Sequence, residues 1–121
     1  MGLDMFAFKT KHKVHQSVDF KVQNAEELHY WRKHPDLHAW MEKLYRSKRG
    51  RAKAFNLVNL RLLSADLDEL EASLRRTSLP KTSGLMFGQS VSSDAFGDLL
   101  FLERARQALR EGYTVYYSSW W

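Results

Sequence analysis

The sequence predicts one α+β domain over residues 1–121. A mainly antiparallel sheet of about four strands is covered by about four helices, in the order β-β-α-α-β-α-α-β. Three observations predict it. Segments with two-residue alternation or dense aromatic and β-branched residues are interleaved with segments whose apolar residues recur every three or four positions. The stretches between them are short and rich in Gly, Pro, Ser and charge. The length, 121 residues with 44% hydrophobic and 27% charged, suits a single domain with its own core.

The elements follow in order. "GLDMFAFK" (Gly2 to Lys9) mixes apolar and aromatic residues without helical spacing and reads as a strand, and "TKHK" reads as a turn. "VHQSVDFKV" alternates, with Val14, Val18, Phe20 and Val22 on one side, so it is expected as a second strand in a hairpin with the first. "NAEELHYWRK" is expected as a helix. Asn24 can cap it, Glu27 completes a capping box, and Leu28 and Trp31 share a face. Pro35 places a break at His34 and suits the first turn of a second helix, with Leu37, Trp40, Met41 and Leu44 as its apolar stripe and Gly50 beyond its end.

"FNLVNLRLL" (Phe55 to Leu63) is the third strand. Ser64 is expected to cap the next helix. Asp66 and Asp68 lie in its first turn and Arg75 and Arg76 in its last, as the helix dipole favours, with Leu67, Leu70 and Leu74 buried. The longest turn-like segment, 77–93, carries Pro80, Gly84 and Gly88, and its apolar Leu85 to Phe87 is expected against the body. Ser93 or Asp94 starts the last helix, with Phe96, Leu99, Leu102 and Leu109 near one face. Gly112 supplies a left-handed stop. "YTVYYSSWW" is then a terminal strand within the sheet. Strand alternation puts Trp120 and Trp121 on opposite sides, so one of them is core.

Composition narrows the function classes. The absence of Cys excludes disulfides and thiolate metal sites. No apolar run approaches the roughly 18 residues of a membrane span, and a soluble, cytoplasmic protein without membrane association is expected. The net charge of +5 is lopsided. Residues 1–53 hold 12 Lys and Arg against 6 Asp and Glu, whereas residues 54–121 hold 7 against 8. Such a field favours an acidic partner, either nucleic acid or an acidic protein surface.

Catalytic patterns are weak. His34 and His38 are four apart, a spacing that begins a zinc site on one helix face, but His34 precedes Pro35 and no Cys or Glu completes the set. No metal and no cofactor are expected. Gly84 to Ser90 has the wrong glycine spacing for a phosphate loop and lacks its lysine. Ser118 and Ser119 lie on a strand and not on a nucleophile elbow. Asp94 and Asp98, four apart on a helix, read as solvated or dipole-facing carboxylates. A small enzyme with a site around His29, His34, Asp36 and His38 is kept as an alternative.

Binding signals are stronger. Arg46, Lys48, Arg49, Arg51 and Lys53 crowd around Gly50 and can grip phosphates or acidic side chains, with Lys9, Lys11 and Lys13 nearby if the hairpin turn faces the same way. Tyr30 and Trp31 precede Arg32 and Lys33, and Tyr, Trp and Arg are the usual anchors of protein interfaces. Trp31 and Trp40 sit on apolar stripes and are expected in the core. Tyr30, Arg32, Lys33, the 46–53 cations and Trp121 are the candidate partner-binding residues.

The opening "MGLDMFAF", the "ELHYWRKHPDLHAWMEKLY" segment, "FNLVNLRL", "LPKTSGLMFG" and the closing "EGYTVYYSSWW" together resemble a group of small phage and prophage proteins. These begin Met-Gly-Leu-Asp-Met and carry a Tyr-Trp-Arg-Lys helix, a Ser-Gly-x-x-Phe-Gly loop and a double-Trp end. The resemblance covers nearly the whole chain. It implies an accessory protein in a bacterial host that acts by binding, including steric occlusion of a host defence complex of the CRISPR type. The positive charge departs from the acidic, DNA-mimicking style of inhibitor. A nucleic-acid-binding module using the 46–53 segment is the other binding alternative, and a homodimer is compatible with either.

Overall fold

In the computed structural model, residues 2–32, 34–76 and 94–121 are described. They form β1 (Asp4–Thr10), β2 (Glu26–Arg32), α1 (Pro35–Ser47), β3 (Leu60–Leu62), α2 (Ser64–Arg75), α3 (Asp94–Arg110) and β4 (Thr114–Trp120). The strands make one sheet in the order β2-β1-β4-β3, and every neighbouring pair is antiparallel. The α+β class and the antiparallel sheet are as the sequence predicts. The described residues contain three helices and not four.

Strand alternation divides the sheet into two faces. Met5 and Ala7 of β1, Trp31 of β2, Leu60 and Leu62 of β3, and Val115 and Tyr117 of β4 point into the core. There they meet Leu37, Met41 and Tyr45 of α1, Leu67 and Leu70 of α2, and Phe101, Leu102, Ala105 and Ala108 of α3. All three helices therefore contribute to one apolar layer. Asp4, Phe6, Phe8, Tyr30, Arg32, Tyr116 and Trp120 fall on the opposite face by the same alternation.

Two expected elements are corrected. Glu26–Arg32 is a strand, not a helix. It pairs with β1 through Asp4↔Arg32, Met5↔Trp31, Phe6↔Tyr30 and Ala7↔His29, and a register shift follows between Ala7 and Phe8. The local capping signal at Asn24 loses to cross-strand packing, in which Tyr30 lies against Phe6 outside and Trp31 against Phe101 inside. The Asn24 carbonyl instead accepts the Thr10 hydroxyl at 2.8 Å. The second correction concerns Val14 to Val22. This stretch is irregular apart from a single bridge, Val18↔Leu60. It lies beside β3, held by Arg61 N–H to the Ser17 carbonyl, Asp19 N–H to the Asn59 carbonyl, and Asn59 Nδ2 to the Phe20 carbonyl. So the partner of β1 in the expected hairpin is replaced by β2.

Other boundaries shift for local reasons. α1 begins at Pro35, directly after the break at His34. α2 is capped by Asp66, whose carboxylate accepts the Leu63 N–H at 2.8 Å, so Ser64 lies inside the helix. β3 spans only Leu60–Leu62. Before it, Leu57 turns through φ +58 and its N–H bonds the Ser119 carbonyl, so the chain still borders β4 but irregularly. Gly112, at φ +91, ends α3 as expected. The segment 77–93, with the loop at Gly84 to Ser90, lies outside the described residues, as does Lys33.

Gly50 is required by a close approach. A Cβ there would stand 2.3 Å from the Tyr45 ring. That ring is fully buried, and its hydroxyl is fixed by donation to Asp19 Oδ1 at 2.6 Å and acceptance from Ala52 N–H at 3.0 Å. Gly50→Ala is expected to lower unfolding free energy by about 1–3 kcal/mol through overpacking, measured by urea denaturation. Unchanged stability would show that the ring can move aside.

Candidate functional site

The histidines come together with partners that the sequence did not indicate. Asp98 of α3 is buried at 1% exposure, and its two carboxylate oxygens each accept one hydrogen bond. Trp31 Nε1 donates to Oδ1 at 2.9 Å and His34 Nε2 donates to Oδ2 at 2.8 Å. The expectation of a solvated Asp98 is thus overturned, because α3 turns this residue toward β2 and the start of α1. His38, one turn into α1, meets the Tyr117 hydroxyl at 2.6 Å. His34 and His38 therefore serve different partners, and Asp36 is also buried. Among the described residues, no group of three or more His, Cys, Asp or Glu side chains is placed to hold a metal ion.

Burial sets the protonation of this layer. It lowers the His38 pKa from 6.5 to about 4 and raises that of the Tyr117 phenol well above its usual 10. Near neutral pH the pair is then a contact between two uncharged groups. His29 stacks edge-on against Trp31, with centroids 4.5 Å apart. Its pKa is lowered by burial and next by the Arg104 guanidinium, which lies 3.2 Å from Nδ1. Asp98, His34, His38 and Tyr117 are enclosed and hydrogen-bonded and His29 is half-buried beside them, a geometry suited to fixing β2, α1, α3 and β4 against one another.

The opposite sheet face is where side chains are presented outward. Register sets Arg32, Asp4 and Trp120 abreast across β2, β1 and β4, and then Tyr30, Phe6 and Ser118. Beyond the bulge come Glu27, Phe8 and Tyr116, with Arg61 of β3 beside Tyr116. Five rings touch in sequence: Tyr30–Phe6 at 5.2 Å, Phe6–Phe8 at 5.7 Å, Phe8–Tyr116 at 5.3 Å and Tyr116–Phe20 at 5.4 Å between centroids. Phe20 buries Tyr116, so the 14–22 segment covers the β3 side of the face. Toward β2 the face opens. Tyr30 is 43% exposed and Trp120 is 61% exposed. The Tyr30 hydroxyl donates to Asp4 Oδ1 at 2.6 Å, which raises its pKa and fixes the ring's outer edge.

Leu57, whose N–H bonds the Ser119 carbonyl next to Trp120, is a further exposed apolar residue. It is 67% exposed and held at φ +58, a conformation that costs a non-glycine residue roughly 1–2 kcal/mol. Its position is fixed by neighbours. Asn56 brackets the chain end, accepting the Trp121 N–H at 3.0 Å and donating Nδ2 to the Trp121 carbonyl at 3.2 Å. Trp121 packs against the core and donates Nε1 to the Phe55 carbonyl at 2.8 Å. The exposed member of the terminal pair is Trp120, and Trp121, one of the expected partner-binding residues, is partly buried against the core and bonded to Phe55 and Asn56.

The 46–53 cations divide into two sets. Arg46 donates to the carbonyls of Gly50, Ala52 and Lys53, and Lys48 Nζ reaches Asp66 Oδ2 at 2.5 Å and the Arg61 carbonyl at 2.7 Å. Those two shape the loop. Arg49, Arg51 and Lys53 are exposed, and among the described residues they make no ion pair or side-chain hydrogen bond. Trp31 is core, as expected, and Trp40 is partly buried with Nε1 on Ser73 Oγ at 3.3 Å. No protein-family model matches the chain, and no curated protein or solved structure is similar to it. No helix among the described residues is long and apolar enough to cross a membrane.

Two outcomes test the buried layer. Asp98→Ala leaves two buried N–H donors unpaired and is expected to cost about 3–5 kcal/mol, read as a lower urea midpoint. His38 is neutral in the fold but protonates in the unfolded chain below pH 6.5. Stability is therefore full above about pH 6.5 and falls as the pH drops toward 4, by on the order of 2 kcal/mol between pH 7.5 and pH 5. In His38→Gln this part of the pH slope should vanish, and an unchanged slope would exclude His38 as its source.

Proposed function

We propose that this protein is a non-enzymatic binding protein that docks an acidic surface of a protein partner on its open sheet face. The observation that carries this reading is the set of Trp120, Tyr30 and Arg32 on the open sheet face, two exposed aromatic side chains beside a guanidinium, with the exposed Leu57 on the segment whose backbone bonds Ser119 next to Trp120. Trp, Tyr and Arg dominate interface hot spots because they bury much surface at low entropic cost. The strained Leu57 adds support, since backbone strain held in place around an exposed side chain is a pointer to function. Arg49, Arg51 and Lys53 lie on the loop at the β3 edge and supply long-range attraction to an acidic partner. The resemblance to small phage proteins makes a bacterial defence complex the first partner to test, with steric occlusion as the mode of action.

A second reading is single-stranded nucleic acid, favoured by the row of rings and the three exposed cations.

The test is capture of host complexes by immobilised wild-type and variant protein, with and without nuclease. Trp120→Ala is expected to weaken capture by about 2 kcal/mol, roughly 30-fold, while changing stability by less than about 1 kcal/mol. Leu57→Gly relieves the strain, so it should leave stability equal or higher within about 1 kcal/mol and still weaken capture. Capture that is indifferent to both substitutions would refute the docking face. Loss of capture on nuclease treatment, with a steep salt dependence removed by Arg49→Glu and Arg51→Glu, would transfer the reading to nucleic acid.

A further inference from the structure

At the end of the sheet away from Trp120, the turn after β1, the entry to β2 and the start of β4 enclose a cleft of about 460 Å³. Its lining includes Lys9, Lys11, His12, Gln23, Glu26 and Tyr113. We propose that this cleft is a binding site for a phosphate group. It is separate from the docking face, and neither proposal depends on the other.

The argument starts from the two ammonium groups. Lys9 lies in β1 and Lys11 in the bend that follows it, and both side chains come to one ring. Lys9 Nζ lies 4.5 Å and Lys11 Nζ 5.7 Å from the centroid of the same Tyr113 ring. A ring face attracts one cation readily, but a second positive charge brought to it is repelled by the first. The carboxylate that partners Lys9 is Glu26, at 3.9 Å, and that side chain is 72% exposed. Two ammonium groups with one solvated carboxylate leave a net positive cleft, and His12 and the Gln23 amide add nitrogen donors at its wall. An anion between the ammonium groups removes the repulsion, and a phosphate dianion does so with several acceptor oxygens.

The cleft is also held open by bonds that do not consume these donors. The Thr10 hydroxyl donates to the Asn24 carbonyl at 2.8 Å and accepts the His12 N–H at 3.2 Å, and the Thr114 hydroxyl donates to the His12 carbonyl at 3.1 Å. Three segments far apart in sequence are thereby tied around the site. Both ammonium groups approach the Tyr113 ring, and this concentration of positive charge favours an anionic ligand.

The test is an amide-shift NMR titration with pyrophosphate at constant ionic strength, on the full chain. Saturable shifts confined to residues 9–12, 23–26 and 113 are expected. The double variant Lys9→Gln, Lys11→Gln should bind about tenfold more weakly or worse with an unchanged melting temperature, while Lys43→Gln, at an exposed position outside the cleft, binds as wild type. Shifts that do not saturate, that chloride reproduces, or that survive in the double variant would overturn the site. A melting temperature lowered in the double variant would be resolved by Lys11→Gln alone, which has no ion pair to lose and must still weaken binding. Comparison of an oligonucleotide with a 5′-phosphate and the same strand with a 5′-hydroxyl identifies the source. Tighter binding of the phosphorylated strand than of pyrophosphate assigns the phosphate to a strand end, and no difference between the two strands assigns it to a small molecule.

Discussion

The buried carboxylate of Asp98 is the point on which the architecture turns. One side chain from α3 accepts the indole N–H of β2 and the imidazole N–H at the head of α1. A carboxylate removed from water is tolerated only when its oxygens are hydrogen-bonded, and breaking such a set leaves the remaining groups uncompensated. The bond therefore does more than add stability. It specifies which face of β2 is inside, because Trp31 can reach Asp98 only if it points at the helices. Tyr30 and Arg32 must then point the other way. The outward patch is in this sense a consequence of the buried network.

The same division explains why the sheet has two unlike surfaces. The helical side is filled by aliphatic side chains and by rings whose polar atoms are all paired. The other side carries rings in contact with each other and with little over them toward β2. A half-open antiparallel sheet commonly shows polar residues on its solvent face. Here Phe6, Tyr30 and Trp120 stand there, and Leu57 is held against β4 in a strained conformation, next to the bracket between Asn56 and Trp121. At the far end of the sheet, the phosphate cleft arises from another tie, in which Thr10 and Thr114 fix the turn after β1. Each surface feature is thus secured by a specific bond between segments distant in the chain.

Much of the fold was legible where a local rule and the tertiary environment agree. Pro35 starts α1, Asp66 and Arg75 flank α2 as the dipole favours, Gly112 ends α3, and the β-rich tail pairs as a strand. The misreadings share a cause. Asn24 and Glu27 form a plausible helix start, but a strand in that place buries Trp31 and stacks Tyr30 on Phe6, which a short isolated helix cannot match. Val14 to Val22 alternates like a strand, yet its role is to cover β3 with Phe20 while its backbone bonds singly to residues 59–61. The clefts and the patch were visible only as their ingredients. Charge runs and aromatic letters named Arg49, Tyr30 and Lys9, but nothing in their spacing tells that Trp120 stands abreast of Arg32, or that Lys9 and Lys11 share one ring.

The sequence by itself determined the class of the fold, the positions of its helices after residue 34, the lopsided positive charge and the lack of thiol chemistry. These follow from composition and from interactions between residues a few positions apart. The tertiary structure alone decided that β2 is a strand, that Asp98 is buried, and that Trp120 is outside while Trp121 is anchored. Each of those choices is set by partners distant in the chain, on other elements. The energies that decide them, paired buried polar groups and cross-strand contacts, exist only once the sheet and helices have met.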